Sequence, residues 1–169
     1  MKIVALADIA DTDVDALLDR AFGTDRRAKT AYRVREGLRP IAALSFAAID
    51  GDRLLGAIQC WPVDLVCDDG IRSPMVMVGP VAVDPDTQRG GIGRALTEHM
   101  LTAADNSMLA GSDALMLIGD PEYYERFFGF TAQLTAQWRL PGPFEPRRLL
   151  ARGSHVRTRP GIVGPRPLP

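Results

Sequence analysis

Cysteine is scarce in this sequence. The only two among its 169 residues are Cys60 and Cys67. They form no C-x-x-C pair, and neither has a metal-ligand spacing with His99 or His155. We therefore expect buried, reduced thiols, no disulfide and no metal site.

Long apolar runs are also absent. No segment approaches the roughly 20 residues of a membrane span. The N-terminal stretch lacks the apolar core and the cleavage pattern of a signal peptide. We expect a cytoplasmic protein that has no membrane partner.

Neither sign of charge dominates. There are 20 Lys and Arg residues against 21 Asp and Glu residues, so the formal net charge is -1. Broad nucleic-acid binding requires an excess of Lys and Arg to neutralise phosphates, and this balance argues against it. Hydrophobic residues make up 46% of the chain, an ordinary value for one globular domain.

The first part of the sequence predicts a strand and two helices. Lys2–Ala7 has a strand-like pattern. Asp11 or Thr12 is placed to cap a helix that Gly23 ends, because the apolar residues between them recur at helical spacing. A charged second helix is predicted over Asp25–Gly37.

The middle of the sequence predicts an antiparallel meander of three strands. The strands are Ile41–Ile49, Arg53–Val66 and Met75–Val83, separated by turns that contain Asp-Gly. A long amphipathic helix follows the glycines after Val83. Next come a short buried strand over Ala114–Ile118, a helix that starts at Gly119-Asp120-Pro121 and ends at Gly129, and a strand from Phe130.

The last part of the sequence differs in composition. Residues 139–169 carry seven of the 13 prolines and seven arginines against one acidic residue, Glu145. Pro141-Gly142-Pro143 cannot continue a strand ladder. We predict a domain over residues 1–153 and a loosely held Pro/Arg-rich tail over residues 154–169.

The segment Gln88-Arg89-Gly90-Gly91-Ile92-Gly93-Arg94 lies between a predicted strand and a predicted helix. The first turn of a helix has unpaired N–H groups and the positive end of the helix dipole. Glycines let a ligand approach this backbone without meeting a Cβ. The pattern therefore predicts a cradle for phosphate or pyrophosphate.

Three kinds of phosphate loop can be compared with this segment. A P-loop requires Lys-Ser/Thr after its last glycine, and here Arg-Ala follows Gly93. A dinucleotide loop requires Gly or Ala where this chain has Leu96, and it opens a parallel βαβ unit. The third pattern, Arg/Gln-x-x-Gly-x-Gly/Ala, is complete in Gln88, Gly91 and Gly93. Nucleotide binding at this loop stays an alternative.

Val81-Ala-Val-Asp-Pro85 followed by Gln88-Arg-Gly-Gly-Ile-Gly93 resembles the CoA-binding motif of the GNAT acetyltransferase superfamily. Tyr123-Tyr124 followed by Gly129-Phe130 resembles its second motif. The resemblance covers residues 2 to about 140. It implies an α/β (α+β) fold with a mixed, mostly antiparallel sheet, a central V-shaped splay and helices on both faces.

The resemblance also implies an activity and a cofactor site. The expected reaction moves an acetyl or other short acyl group from acyl-CoA, with acetyl-CoA as the expected co-substrate, to an amine by direct attack in a ternary complex, without a metal. A CoA-binding sensor of the same fold with weak turnover is the alternative, and a homodimer is plausible. The implied CoA-binding residues are Val81 and Val83 on the strand and Gln88, Arg89, Gly90, Gly91, Gly93 and Arg94 in the loop.

The resemblance implies that a tyrosine protonates the leaving thiolate. Tyr124 is the first candidate and Tyr123 the second. The family's tyrosine stands four residues before the glycine of Gly-Phe, where this chain has Glu125, because the chain carries one extra residue. We predict that a bulge or a wider turn after the helix accommodates that residue.

The acceptor side is less determined by sequence. Tyr32 and Arg35, on the predicted second helix, and Trp61, on the meander, are the candidate substrate-binding residues. An arginine here suits an acceptor carboxylate. The general base is left open among Glu36, Asp120 and Glu122, and the acceptor amine itself is not identified.

Overall fold

A computed structural model describes residues 1–87 and 90–168 of the chain. Gln88 and Arg89, which the sequence assigns to the CoA loop, lie outside the described residues. The chain forms two compact units. The first consists of Met1–Ala28, Pro40–Cys60 and Gly79–Asn106; the second consists of Lys29–Arg39, Trp61–Val78 and the described chain from Ser107 onward.

The helices and strands follow one another along the chain with short connections. They are β1 (Lys2–Ala5), α1 (Asp11–Phe22), α2 (Thr30–Val34), β2 (Phe46–Asp50), β3 (Arg53–Cys67), β4 (Arg72–Val83), α3 (Ile92–Asp105), β5 (Leu115–Ile118), α4 (Pro121–Phe128), β6 (Trp138–Arg139), β7 (Leu149–Arg152) and β8 (Gly161–Pro165).

The first unit is built around an antiparallel arrangement of β1, β2 and the start of β3. Gly51, with φ of 58°, makes the turn between β2 and β3, as the Asp-Gly pattern predicts. Helix α1 buries its apolar face on small strand residues, which let the helix approach the sheet closely. This core contains Leu6, Val14, Leu17, Leu18, Ala47, Ala57 and Ala82.

The second unit contains the one parallel contact of β4 described here, with β5, over Val76↔Leu115 and Met77↔Met116. Strand β7 pairs antiparallel with β5, and β8 pairs antiparallel with the end of β3 and parallel with β6. Its core includes Trp61, Val63, Leu65, Met75, Met77, Met116, Trp138, Leu149 and Val163.

The sheet is therefore mixed and mostly antiparallel, with strand order β1-β2-β3-β4-β5-β7 and flanking helices. This confirms the predicted fold class. The parallel β4–β5 pairing covers only two residue pairs, although β5 continues to Ile118. The central splay stays a prediction.

Two predictions about helices are wrong in detail. Helix α1 begins at Asp11 and its N-cap is Ala10, so neither Asp11 nor Thr12 is the cap. Asp11 instead lies in the first turn, where a carboxylate interacts favourably with the positive end of the helix dipole. The helix predicted over Asp25–Gly37 is a 3-10 turn at Arg26–Ala28 followed by the short α2.

Tertiary contacts explain the shorter helix. In the first unit, the buried Arg26 donates from Nε to Asp19 Oδ1 at 2.9 Å, which holds its turn against α1. In the second unit, the Thr30 hydroxyl donates to the Pro143 carbonyl at 2.5 Å. Such tertiary contacts outweigh the weak helix preference of the segment.

The strand predicted from Phe130 is also wrong. Thr131 makes an isolated bridge to Ala151, and a 3-10 turn follows at Ala132–Leu134. The Thr131 hydroxyl accepts from the Gln133 N–H at 3.2 Å and caps that turn. A side chain that hydrogen-bonds to the backbone two residues later competes with continuation of the strand.

The prediction of a loosely held tail over residues 154–169 is wrong as well. Residues 161–165 form β8, which pairs with Val63–Cys67 of β3, and Val163 is fully buried in the core of the second unit. The residues on both sides of residue 153 belong to the second unit. Proline and arginine content misleads here, because Pro165 stands at the end of the strand, where its missing N–H costs little.

Candidate functional site

Asp84 fixes the point at which the chain leaves β4. Its backbone N–H donates to the Leu55 carbonyl at 2.8 Å, and its own carbonyl accepts from the Thr87 N–H at 3.0 Å. One side-chain oxygen, Oδ1, accepts from the Asp86 N–H at 2.9 Å. These bonds form a tight turn at the start of the predicted CoA loop.

The other oxygen of Asp84, Oδ2, faces two arginines. Arg20 of α1 approaches it at 3.6 Å and Arg53 of β3 at 3.5 Å. The pKa of Asp84 is lowered, first by the hydrogen bond from the Asp86 amide and then by the two guanidinium charges, which outweigh the opposing effect of burial. The carboxylate is therefore charged at neutral pH.

The other end of the loop is the N-terminus of α3. Gly91 is the N-cap, with φ of 81°, and its carbonyl accepts from the Ala95 N–H at 2.9 Å. This backbone conformation favours glycine strongly. The N–H groups of the first helical turn, from Ile92 to Arg94, have no acceptor within the helix and face an approaching ligand with partial positive charge.

Protein packing does not account for all the loop glycines. No atom of the described residues lies within 4 Å of a Cβ built on Gly90 or Gly91. A Cβ on Gly93 would lie 3.6 Å from Val83 Cγ2 and 3.7 Å from Val81 Cγ1, an ordinary contact. Gly90 and Gly93 therefore keep open a space that a side chain would occupy, which suits a ligand lying on the helix terminus.

The predicted contact of Arg94 with CoA stays a prediction, and its side chain is engaged within α3. Its Nε donates to Glu98 Oε1 at 2.9 Å, an i,i+4 ion pair on the surface of α3. Val81 and Val83 are half-buried at the end of β4. Pro80 has no N–H, so Val81 provides the next backbone donor along β4.

Helix α4 carries both candidate tyrosines. The N–H groups of Tyr123 and Tyr124 donate to the Asp120 carbonyl at 3.1 and 2.9 Å, so Asp120-Pro121 sets the start of the helix, as predicted. At its end, the Gly129 N–H reaches the carbonyls of both Glu125 and Tyr124.

The Phe130 N–H also donates to the Tyr124 carbonyl, at 3.3 Å. The last turn of α4 is thus wider than an α-helical turn, and it accommodates the extra residue before Gly129. This confirms the predicted wider turn after the helix. It does not test the chemical role of Tyr124, which stays a prediction.

Tyr124 is half-buried in an aromatic cluster of the second unit. Its ring lies against Gly119, where a Cβ would approach Tyr124 Cε2 to 2.7 Å, and it contacts the rings of Tyr123, Phe128 and Phe130. Burial, and to a smaller extent Tyr123, raises the pKa of Tyr124 to about 12. The phenol is therefore protonated at neutral pH.

The three candidate acceptor residues lie together in the second unit. The Cζ atom of the Arg35 guanidinium lies 3.9 Å from the ring centroid of Tyr32 and 4.0 Å from that of Trp61. Arg35 is 6% exposed and Trp61 7%. Contact with two aromatic rings orients the guanidinium.

The candidate general bases differ in their surroundings. The pKa of Asp120 is raised, chiefly by its hydrogen bond with Glu122. The pKa of Glu122 is lowered by the same hydrogen bond and by an ion pair with Arg147. Glu36 is exposed.

A cluster of Ser154, His155 and Asp113 resembles a catalytic triad only in composition. The Ser154 hydroxyl and the Asp113 carboxylate both contact His155 Nδ1, at 3.1 and 2.6 Å. A triad requires the serine and the carboxylate on opposite ring nitrogens. This exposed cluster is therefore not a site for nucleophilic catalysis.

In residues 1–87 and 90–168, no group of three or more His, Cys, Asp and Glu side chains is placed to hold a metal ion. Cys60 and Cys67 are free and buried, and burial raises the pKa of the Cys60 thiol. No helix in the described chain is both long and apolar enough to cross a membrane.

Sequence reasoning gave Asp84 no role of its own and named it only within the motif from Val81 to Pro85. Burial and the two distant arginines cannot be read from Val83-Asp84-Pro85 alone. The one available signal was an acidic residue directly between a β-branched strand and the glycine loop.

Comparison with known proteins relates the whole arrangement to one family. The family model described as an acetyltransferase (GNAT) domain matches residues 8–132. An uncharacterized N-acetyltransferase of Escherichia coli K12, YhbS, is 31% identical over 131 residues, which cover 76% of this chain and 74% of that protein.

Solved structures agree with this match. The crystal structure of YhbS from Escherichia coli in complex with CoA is 26% identical, has a TM-score of 0.73, and the match covers 98% of this chain and 89% of that one. A GNAT family acetyltransferase from Brucella melitensis in complex with acetyl-CoA shares the fold, with a TM-score of 0.60 at 23% identity, covering 98% and 95% of the two chains.

Proposed function

This chain belongs to the GNAT acetyltransferase family, and we propose that it transfers an acetyl or other short acyl group from acyl-CoA to an amine. The observation that carries this proposal is the glycine-lined N-terminus of α3, where Gly90 and Gly93 leave open a space that packing does not require. The CoA complex of YhbS supports the same assignment.

The pyrophosphate of acyl-CoA would bind the amides of Gly90, Gly91 and the first turn of α3, next to Val81 and Val83. Main-chain groups of β4 would pair with the extended pantetheine arm, as in strand addition. The Val81 N–H is the candidate donor to the thioester carbonyl oxygen, whose charge grows as the amine attacks.

The chemistry is one displacement in a ternary complex. The neutral amine nitrogen bonds to the thioester carbon, the C–S bond breaks, and the amine loses a proton to a base. The CoA thiolate takes a proton from Tyr124, which regains it from solvent. Holding both reactants in one site provides much of the acceleration.

The raised pKa of Tyr124 has two effects on this role. The phenol stays protonated across the working range of pH, which an acid requires. A pKa of about 12 also makes it a weaker acid than one whose pKa lies near neutrality. Tyr124 therefore assists the departure of a thiolate that is already a good leaving group.

The activity is tested by incubating the purified protein with acetyl-CoA and a panel of amines while free thiol is measured. Thiol release that depends on the amine supports the proposal. CoA binding by calorimetry without thiol release on any amine favours a CoA-binding sensor. Absence of CoA binding by the folded protein overturns the proposal altogether.

The site is tested by two experiments. Gly93→Val fills the space beside Val81 and should abolish CoA binding in a protein that still folds, so unchanged affinity would reject the site. Tyr124→Phe should lower kcat by about a hundredfold with CoA affinity retained, whereas Tyr123→Phe should not. Parental turnover by Tyr124→Phe would remove it from the mechanism.

A further inference from the structure

The buried carboxylate of Asp84 takes no part in the chemistry proposed above, yet it joins three elements of the first unit. Oδ1 accepts from the Asp86 amide in the loop. Oδ2 lies 3.6 Å from Arg20 of α1 and 3.5 Å from Arg53 of β3. Burying a charge costs free energy, and this cost is offset only when the partners of the charge hold it in a favourable geometry.

The two ends of the loop rest on consecutive residues of β3. The Asp84 N–H donates to the carbonyl of Leu55 at 2.8 Å. At the next residue, a Cβ on Gly56 would lie 2.9 Å from Ile92 Cγ2, 2.9 Å from the Ala82 carbonyl oxygen and 3.1 Å from Leu96 Cδ1. The missing side chain of Gly56 thus lets the first turn of α3 pack directly on the strand.

We propose that Asp84, seated on Leu55-Gly56, is the positioning residue of the acyl-CoA loop. The strand sets the separation of the loop's two ends. The hydrogen bond from Oδ1 to the Asp86 amide sets the direction in which the chain leaves β4. The arginines at Oδ2 prevent the carboxylate from turning away. The proposal rests on the proposed function for the identity of the ligand.

The test compares three variants that are first shown to fold by circular dichroism. Asp84→Ala removes both functions of the carboxylate. Asp84→Asn keeps an oxygen acceptor for the Asp86 amide but removes the charge that faces Arg20 and Arg53. Asp86→Ala is the matched control, because it removes one exposed negative charge from the same loop and leaves the Asp86 amide in place.

Calorimetry with CoA gives the first readout. We expect Asp84→Ala to weaken CoA binding about tenfold, Asp84→Asn to weaken it less, and Asp86→Ala to bind like the parent. At saturating acyl-CoA, kcat of Asp84→Ala should stay close to the parental value, because the reacting atoms are not touched. Equal affinity of Asp84→Ala and the parent overturns the proposal, as does equal weakening by Asp86→Ala.

Amide hydrogen exchange without CoA gives a second readout that does not depend on the ligand. Asp84→Ala should speed exchange at the amides of residues 86 and 87 relative to Asp86→Ala. If the parent fails to bind CoA but this difference is present, the proposed function is wrong and the positioning role holds. If exchange at these amides is unchanged, Asp84 does not position the loop.

Discussion

Each unit of this chain contains a buried aspartate that faces two arginines. In the second unit, Asp64 lies 3.1 Å from Arg72 Nε and 3.3 Å from Arg166 Nε. In the first unit, Asp84 faces Arg20 and Arg53 in a similar way. The arginines differ in burial: Arg166 has a side chain that is 17% exposed, whereas the side chains of Arg20 and Arg53 are 46% and 54% exposed.

The difference follows from what else the arginines bind. Arg166 also donates to the backbone carbonyls of Val63, Met75 and Ala110, so it ties the segment after β8 to β3 and β4. Asp84 relies instead on the backbone amide of Asp86. Aspartate and arginine thus hold the segment after β8 in place in the second unit, and they orient a loop in the first unit.

The largest expected effect tests the role of the closing segment. A chain that ends at residue 153 lacks β8 and Arg166, and it should show no cooperative thermal transition, because Val163 and the pairing with β3 are lost. Circular dichroism melting measures this. Leu168→Ser, an exposed position, is the control and should melt like the parent. A truncated chain that melts normally would restore the view of residues 154–169 as a tail.

The next effect compares the two aspartates directly. Asp64→Ala leaves Arg166 buried without its carboxylate and should lower the free energy of unfolding by about 3 kcal/mol. Asp84→Ala should cost less, because its two arginines can return to water. Urea denaturation of both variants gives the two values. If Asp84→Ala lowers the free energy of unfolding more than Asp64→Ala does, the exposure of the arginines does not control the size of the loss.

A smaller effect tests how closely α3 packs against β3 in the first unit. Gly56→Ala places a methyl group 2.9 Å from the Ala82 carbonyl oxygen and Ile92 Cγ2, so it should cost about 2 kcal/mol. Gly164→Ala is the matched strand control, since no described atom lies within 4 Å of its Cβ. Equal stability of the two variants in urea would show that α3 is free to shift.

The smallest effect concerns pH. Folding lowers the pKa of Asp84, so its charged form stabilises the native state fully above the ordinary pKa of about 3.9. That contribution is lost as pH falls through the lower native pKa. The stability difference between the parent and Asp84→Asn should therefore shrink as pH falls below about 4. A difference that is constant over this range would contradict the assignment.

Strands β3, β4 and β5, the long helix α3 and the glycines at its start were predictable because their signals are local. Val81, Val83 and the glycines after them follow strand and helix-start patterns that neighbouring residues largely decide. The wide turn after α4 was predictable from one extra residue before Gly129.

The division of the predicted second helix has the opposite cause, which is contact between parts of the chain that are distant in sequence. Arg26 and Thr30 divide a helix that local spacing predicts, through Asp19 and Pro143. Tyr32, Arg35 and Trp61 were predicted to bind substrate. The contact of the Arg35 guanidinium with both rings could not be predicted from sequence spacing.

The pairing of β8 with β3 also determines how the second unit folds. Val63 and Pro165 are partners although most of the chain separates them, so a large loop must close before the pair forms. Non-local pairing of this kind is slow. Until it occurs, one edge of residues 63–67 is unpaired, and an open edge with apolar side chains attracts other chains. Aggregation therefore competes with folding at this edge, and dilute refolding favours the native protein.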